Sequence, residues 1–262
     1  MKNITVSFVI PVFNEEKRID VAFKALKTAS LPAGLALKEV IFVNDGSTDN
    51  TIQKIETFAK KAKLAAKIVL LTYSTNRGKG AALKEGMLYA TSDYTLFFDA
   101  DMSTPISEIT KFKPFMEKGI KAIIGTRKNG HSTVTKHQPL LRRTLGRGFT
   151  KITQLVLSID NTDFTCGFKA FARNAKNIIF EESMIDGWGY DAEILYLTSK
   201  HAFSMKEVPV TWANDDRTKV RLISAVSKTL KELATIVWIH RIQPKVSFVI
   251  PSSLLTRHNL VK

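Results

Sequence analysis

The chain has 262 residues, 44% of them hydrophobic, and a formal net charge of +15 from 39 Lys and Arg against 24 Asp and Glu. That is enough chain for one sizeable α/β domain, and enough charge to favour anionic partners. The single cysteine, Cys166, excludes an intrachain disulfide and a cysteine-rich metal centre. No stretch reaches the roughly 18 uninterrupted apolar residues of a spanning helix. Residues Met1 to Phe8 lack the apolar length of a signal peptide. The expectation is a cytoplasmic protein, peripheral on the cytosolic face of a membrane.

Val6 to Pro11 is a short apolar run stopped by proline, the pattern of a buried strand. Ile19, Ala22, Phe23 and Leu26 follow at helical spacing. Val40 to Val43 is a second strand, leading into the capping turn Asn44-Asp45-Gly46-Ser47-Thr48-Asp49 and a helix through Ile52, Ile55 and Ala59. Lys67 to Tyr73 reads as a strand, Gly80 to Ala90 as a helix, Tyr94 to Phe98 as a strand, and Ala122 to Gly125 as another after a helix opened by Pro105. Strand and helix alternate through residue 125, which predicts a mostly parallel sheet with helices on both faces.

Beyond Thr126 the chain turns basic, with eleven Lys or Arg and one acid, Glu117, between Lys111 and Lys151. Leu145, Phe149, Ile152 and Val156 form an apolar stripe, with Arg143, Arg147 and Lys151 on roughly the opposite face. Such a helix packs its apolar side on the core or lies on a membrane surface. Ala170 to Ala172 and Met205 to Trp212 read as strands, the second at a sheet edge because of Pro209. Tyr190 to Thr198 reads as a helix, and Leu222, Val226, Leu230, Leu233 and Val237 mark a final long one. The expected organisation is one domain over 1–240, with 141–158 and 221–241 as candidate membrane-surface helices, and a C-terminal tail over 241–262. The tail repeats Val6 to Pro11 as Val246 to Pro251.

In an alternating α/β domain the carboxyl ends of the strands converge on one crevice. Those ends carry Asn14 and Glu15, then Asp45, then Arg77-Gly78-Lys79-Gly80, then Asp99 and Asp101. Asp99 and Asp101 are two hard oxygen ligands one residue apart, suited to Mg²⁺ or Mn²⁺ and through it to a diphosphate. An isolated Asp-x-Asp is more often a helix cap, so the convergence carries the weight. The loop at Arg77 to Gly80 has Leu83 where a dinucleotide fingerprint needs glycine and lacks the Lys-Ser/Thr of a P-loop, so neither chemistry is supported. The basic region has few interleaved aromatics and the crevice is acidic, against nucleic acid as partner.

Val9 to Glu16, Val43 to Asp49, Asn76 to Gly80 and Asp99-Ala100-Asp101 together resemble the ordered signatures of family-two inverting glycosyltransferases of GT-A fold, over roughly residues 4–240. Asp163 to Lys169 and Trp188 to Tyr196 are most similar to the dolichyl-phosphate β-glucosyltransferases, with the mannosyltransferases next. The resemblance implies that Pro11, Phe13, Glu15 and Asp45 hold base and ribose, with Arg77 and Lys79 nearby. It implies that Asp99, Ala100 and Asp101 address ribose, diphosphate and metal. It further implies an acceptor-phosphate role for Arg127 and an arginine of the 142–147 segment. Unlike the eukaryotic glucosyltransferases, the chain is expected to have no N-terminal membrane anchor.

A nucleotide sugar donor, UDP-glucose foremost, and a polyprenyl-phosphate acceptor at an anionic membrane surface are therefore expected. A hydroxyl acceptor usually needs a carboxylate base, for which Asp191 is the candidate. A lipid monophosphate, with a second pKa of about 6, is already largely dianionic at neutral pH and needs cations instead. Arg127, Arg142, Arg143, Arg147 and Lys219 fit that need. GDP-mannose remains an alternative donor, because Asp45 can accept from uracil or guanine alike.

Overall fold

The computed structural model describes residues 3–128, 132–136, 140–214, 222–242 and 255–261. In chain order these form β1 (Ile4–Val12), α1 (Asp20–Thr28), β2 (Leu35–Asp45), α2 (Thr51–Lys61), β3 (Lys67–Tyr73), α3 (Lys79–Tyr89) and β4 (Tyr94–Phe97). There follow α4 (Ile109–Glu117), β5 (Ala122–Thr126), β6 (Val134–Lys136), α5 (Leu140–Leu157), β7 (Lys169–Ala172), α6 (Arg173–Glu182), α7 (Tyr190–Lys200), β8 (Met205–Pro209) and β9 (Trp212–Ala213). The last elements are α8 (Leu222–Val237), which runs into a π turn at Trp238–Ile242, and β10 (Leu255–Val261).

Eight strands make one sheet in the order β10-β3-β2-β1-β4-β7-β5-β8, and β6 pairs with β9 beside it. Strands β1 to β4 are mutually parallel where they touch. Their near-continuous apolar runs suit strands covered on both faces. Along β1, Phe8 and Ile10 enter a core shared with α1, α2 and α4, while Val9 enters the opposite one with α3, α6 and α7. Two-residue alternation thus feeds both layers from each strand. Strand β7 runs antiparallel between β4 and β5. Strand β8 closes one edge, where Pro209 costs no ladder bond.

Strand β10 closes the other edge, antiparallel to β3, with Leu255 opposite Tyr73. Its sequence, LTRHNLV, alternates too weakly to announce a strand, as fits an edge position. The repeated Val246 to Pro251 lies outside the described residues.

Helix α5 buries only part of the stripe its sequence suggests, with Phe149 and Val156 half-buried and Val156 packed on the core. Thr150, Thr153 and Leu157 face inward, whereas Leu145, Ile152 and Leu155 are 36, 44 and 83% exposed. Arg147 and Lys151 are exposed on the same helix. Helix α8 packs against α5 and α7 through a face that includes buried Leu233 and Ile236, leaving Trp238 52% exposed. The described helices include none long and apolar enough to cross a membrane.

Helix α3 meets the sheet through Gly86, where a Cβ would stand 2.5 Å from a Val9 methyl and 2.7 Å from a Val43 methyl. Overpacking of this kind costs about 1–3 kcal/mol. Gly86→Ala is therefore expected to lower stability by that amount in urea unfolding, and an unchanged midpoint would show that α3 can move off the sheet freely.

Candidate active site

The carboxyl ends of β1 to β4 do converge, and hydrogen bonds between their loops fix how. Asn14, at φ +52°, accepts from the Thr48 N–H through its side-chain oxygen at 2.8 Å, and its own N–H donates to Ser47 Oγ at 2.9 Å. The Glu15 N–H donates to Thr51 Oγ1 at 2.8 Å. The Glu15 carboxylate takes Arg18, with Nε at 2.7 Å, so its charge is neutralised within its own loop. Pro11 still lies in β1 opposite Val43, and Phe13 emerges beyond it, 40% exposed.

Asp45 ends β2 buried. Its carboxylate accepts the main-chain N–H groups of Arg77 at 2.8 Å and Gly78 at 2.9 Å, and the Asn76 amide at 2.8 Å. Burial pushes its carboxyl up, partly offset by those N–H groups. The Arg77 guanidinium stacks on Tyr73, 5.1 Å from the ring centre, and pairs with Asp186 at 3.0 Å. Gly78 sits at φ +122°, and a side chain there would strike the Asp186 carbonyl. That carbonyl accepts the Gly80 N–H at 2.8 Å and lies 3.3 Å from the Ala81 nitrogen. The amino end of α3 is thus capped by protein, and the loop's cation toward the crevice is Lys79.

Lys79 Nζ lies 2.5 Å from Asp99 Oδ1 and 5.6 Å from the ring centres of both Trp188 and Tyr190. Burial would lower its pKa, but Asp99, Asp191 and Asp101 reverse the direction and raise it. Strand β4 ends at Phe97, so Asp99, Ala100 and Asp101 occupy a turn and not the straight continuation of a strand. A Cβ on Gly167 would collide with the Asp99 carboxylate, which explains glycine there. Asp101 accepts the Ser103 N–H at 2.9 Å, and burial together with the Asp99 charge raises its pKa.

Asp191, near the start of α7, is buried against Lys169 of β7, Nζ to Oδ1 2.5 Å. Lys169 is wholly buried and also donates to the Cys166 carbonyl at 2.6 Å. Burial raises the Asp191 pKa, opposed by Lys169 and Lys79. The sequence held a signal for this pair: a lysine in Phe168-Lys169-Ala170-Phe171 needs a buried acid to be tolerated. Glu193 is also buried, but its carboxylate accepts the N–H groups of Met184 and Ile185, at 2.8 and 2.9 Å.

Arg127 follows β5 and is forked on the fully buried Asp163, Nε at 2.7 Å and Nη2 at 2.8 Å, with Thr165 Oγ1 at 2.9 Å. Three of its five N–H donors are thereby directed. Arg147 is exposed on α5. The side chains of Arg142 and Arg143, and all of Lys219, lie outside the described residues. Sequence reasoning missed Asp163 as the holder of Arg127, Asp186, and Glu232 of α8, which accepts the Gly189 N–H at 2.6 Å.

A mostly parallel sheet with helices on both faces, and with Lys79, Asp99, Asp101 and Asp191 gathered at the carboxyl edge of its strands, is the architecture of the GT-A fold. Among solved structures, glucosyl-3-phosphoglycerate synthase from Mycobacterium tuberculosis with UDP superposes at TM-score 0.64, 17% identity, covering 98% of this chain and 87% of that one. Its complex with Mn²⁺, UDP-glucose and phosphoglyceric acid gives TM-score 0.62 at 18% identity, covering 98 and 86%. The family model for glycosyl transferase family 2 matches residues 7–178, and the chain belongs to that family. A dolichyl-phosphate β-glucosyltransferase of Dictyostelium discoideum is 31% identical over 243 residues, 89% of this chain and 74% of that protein. Its namesake in Saccharomyces cerevisiae is 30% identical over 249 residues, 90 and 75%.

Arg127 and Lys128 hold the Asp163 carboxyl far below the usual carboxylate range, overcoming the upward push of burial. A depressed folded-state pKa gives stability present above the unfolded value of about 3.9 and lost as pH falls below it. Asp163→Asn should cost about 3–5 kcal/mol at pH 7, since it strands Arg127. That deficit should narrow as pH falls from about 4 toward 2; a constant deficit across urea unfolding at these pH values would contradict the pairing.

Proposed function

We propose that this glycosyltransferase moves glucose from UDP-glucose onto a polyprenyl monophosphate with inversion, at an anionic membrane surface. The observation that carries the reading is the Lys169–Asp191 pair, because the carboxylate that would serve a hydroxyl acceptor as base is buried and already engaged by a lysine that holds its oxygen. The curated relatives named for dolichyl phosphate support the same acceptor class.

The described residues contain no group of three His, Cys, Asp or Glu side chains able to hold a metal unaided. Asp99 and Asp101 nevertheless fit Mg²⁺ or Mn²⁺ chemically. They are two oxygen donors in which burial and the Asp99 charge keep the Asp101 carboxyl raised despite Ser103 and Lys79, so a cation is welcome there, and Mg²⁺ commonly shares its remaining positions with phosphate and water. A divalent cation bound there would stabilise charge developing on the leaving diphosphate.

The chain's own residues do the rest of the work in this reading. Asp45 fixes the loop that presents Lys79 to the diphosphate. Pro11, Phe13, Glu15 and Arg77 shape the nucleoside end through their loops, Glu15 by organising it with Arg18. Asp191, oriented by Lys169, binds sugar hydroxyls and takes no proton from the acceptor. An acceptor dianion needs positioning and charge compensation only, supplied by Arg127, by Arg147 and by Arg142, Arg143 and Lys219. The exposed Leu145, Ile152 and Leu155 beside Arg147 and Lys151 suit a helix lying on an acidic bilayer.

The deciding assay is transfer of labelled sugar from UDP-glucose, with GDP-mannose in parallel, into an organic-extractable product with Mn²⁺ or Mg²⁺. Lipid-linked glucose that a chelator abolishes is expected, and donor binding without lipid product would overturn the acceptor. Asp101→Ala should reduce kcat by about 10²-fold or more, the usual scale for losing electrostatic stabilisation of a leaving charge. Asp191→Asn separates the acceptor classes: with a phosphate acceptor it should mainly raise the donor KM, whereas loss of all turnover with intact UDP binding would make Asp191 a base and the acceptor a hydroxyl.

A further inference from the structure

Residues 183–189 link α6 to α7 without regular structure, yet they are held from three directions. Glu193 takes the N–H groups of Met184 and Ile185. Arg77 pairs with the Asp186 side chain, and Gly80 donates to its carbonyl. The third hold comes from α8. Glu232 Oε2 accepts the Gly189 N–H at 2.6 Å, a Cβ on Gly187 would run into the Glu232 carboxylate, and one on Gly189 would lie 2.8 Å from the Glu232 Cβ. His240, in the turn that follows α8, meets Glu193 at 2.8 Å and so braces the carboxylate that holds Met184 and Ile185.

Between the two glycines stands Trp188, 43% exposed, with its ring 5.6 Å from Lys79 Nζ. We infer that Glu232 is a positioning residue of the donor site, which through the Gly187–Gly189 backbone sets Trp188 over the Lys79 ammonium. This rests on the reading above that Lys79 faces the donor diphosphate. An indole over an ammonium attracts it and keeps water from one side of it, and an ammonium so shielded interacts more strongly with a diphosphate. The other two holds remain when Glu232 is changed, so the consequence falls on Trp188 and not on the whole connection. Contact with a diphosphate that persists from bound donor to transition state appears in KM and not in kcat.

The test uses the full chain with Mn²⁺, UDP-glucose and UDP. Glu232→Asp keeps charge and helix but shortens the reach to Gly189, and Glu232→Gln keeps an oxygen that can accept its N–H. Glu232→Asp is expected to raise the donor KM about tenfold, the scale of one lost hydrogen bond to a charged group, with kcat within about twofold. Glu232→Gln should stay within about threefold of wild type. In a Trp188→Ala background, Glu232→Asp should add nothing further. Wild-type KM in Glu232→Asp, or an effect that persists undiminished without Trp188, overturns the inference. A separate readout needs no donor: with Trp212 and Trp238 replaced by Phe, acrylamide should quench Trp188 more in Glu232→Asp than with Glu232 intact, and equal quenching also overturns it. Failure of the wild-type chain to bind UDP would overturn the donor-site reading, while the quenching comparison would still decide whether Glu232 holds Trp188.

Discussion

The site depends on carboxylates that grip main chain. Asp45 takes two consecutive N–H groups of the loop before α3, Glu193 takes two from the α6–α7 connection, and Glu232 takes one more at its end. Each is a charge-assisted bond, roughly twice as strong as a neutral one. Loops at the carboxyl edge of a sheet have no ladder to fix them, so side chains rooted on strands and helices supply the missing order. Lys79, Trp188 and Arg77 inherit their places from this scaffold.

Cations and acids alternate through the interior of the site. Asp163 is forked by Arg127, Asp191 is met by Lys169, and Asp99 by Lys79. A buried pair of this kind is strongly destabilising to break but contributes little net stability when intact. Arrays of them are more economically explained as placement of charge than as reinforcement of the fold. The net positive charge of the chain is carried elsewhere, much of it between Lys111 and Lys151 in the sequence.

The sheet was legible because its central strands are uniformly apolar and end in turn residues, and the convergence of Asn14, Asp45, Lys79 and Asp99 followed from that alternation alone. What the sequence concealed was the partner of each charge. Arg127 reads as a lone cation until Asp163 appears beneath it, and nothing in the sequence announces that Arg18, three residues on, closes around the Glu15 carboxylate. Glu232 looks like one more surface acid on a basic helix, because its partner is a peptide N–H with no sequence signature. Helix α5 concealed its orientation: its inward side carries Thr150 and Thr153, and the apolar stripe is split between partly buried Phe149 and Val156 and exposed Leu145 and Ile152. Strand β10 was hidden by polarity, since an edge needs main-chain pairing more than apolar side chains.

That last strand also sets an order of events. Strand β3 meets its partner β2 across a few dozen residues, but its outer neighbour β10 arrives from the far end of the chain. During synthesis the domain's first half can pack its two layers while one side of β3 still offers open N–H and C=O groups. Until Leu255–Val261 leaves the ribosome, that side is a template for any passing extended segment, and the interval between completing β4 and delivering β10 is when the nascent chain is most open to mispairing.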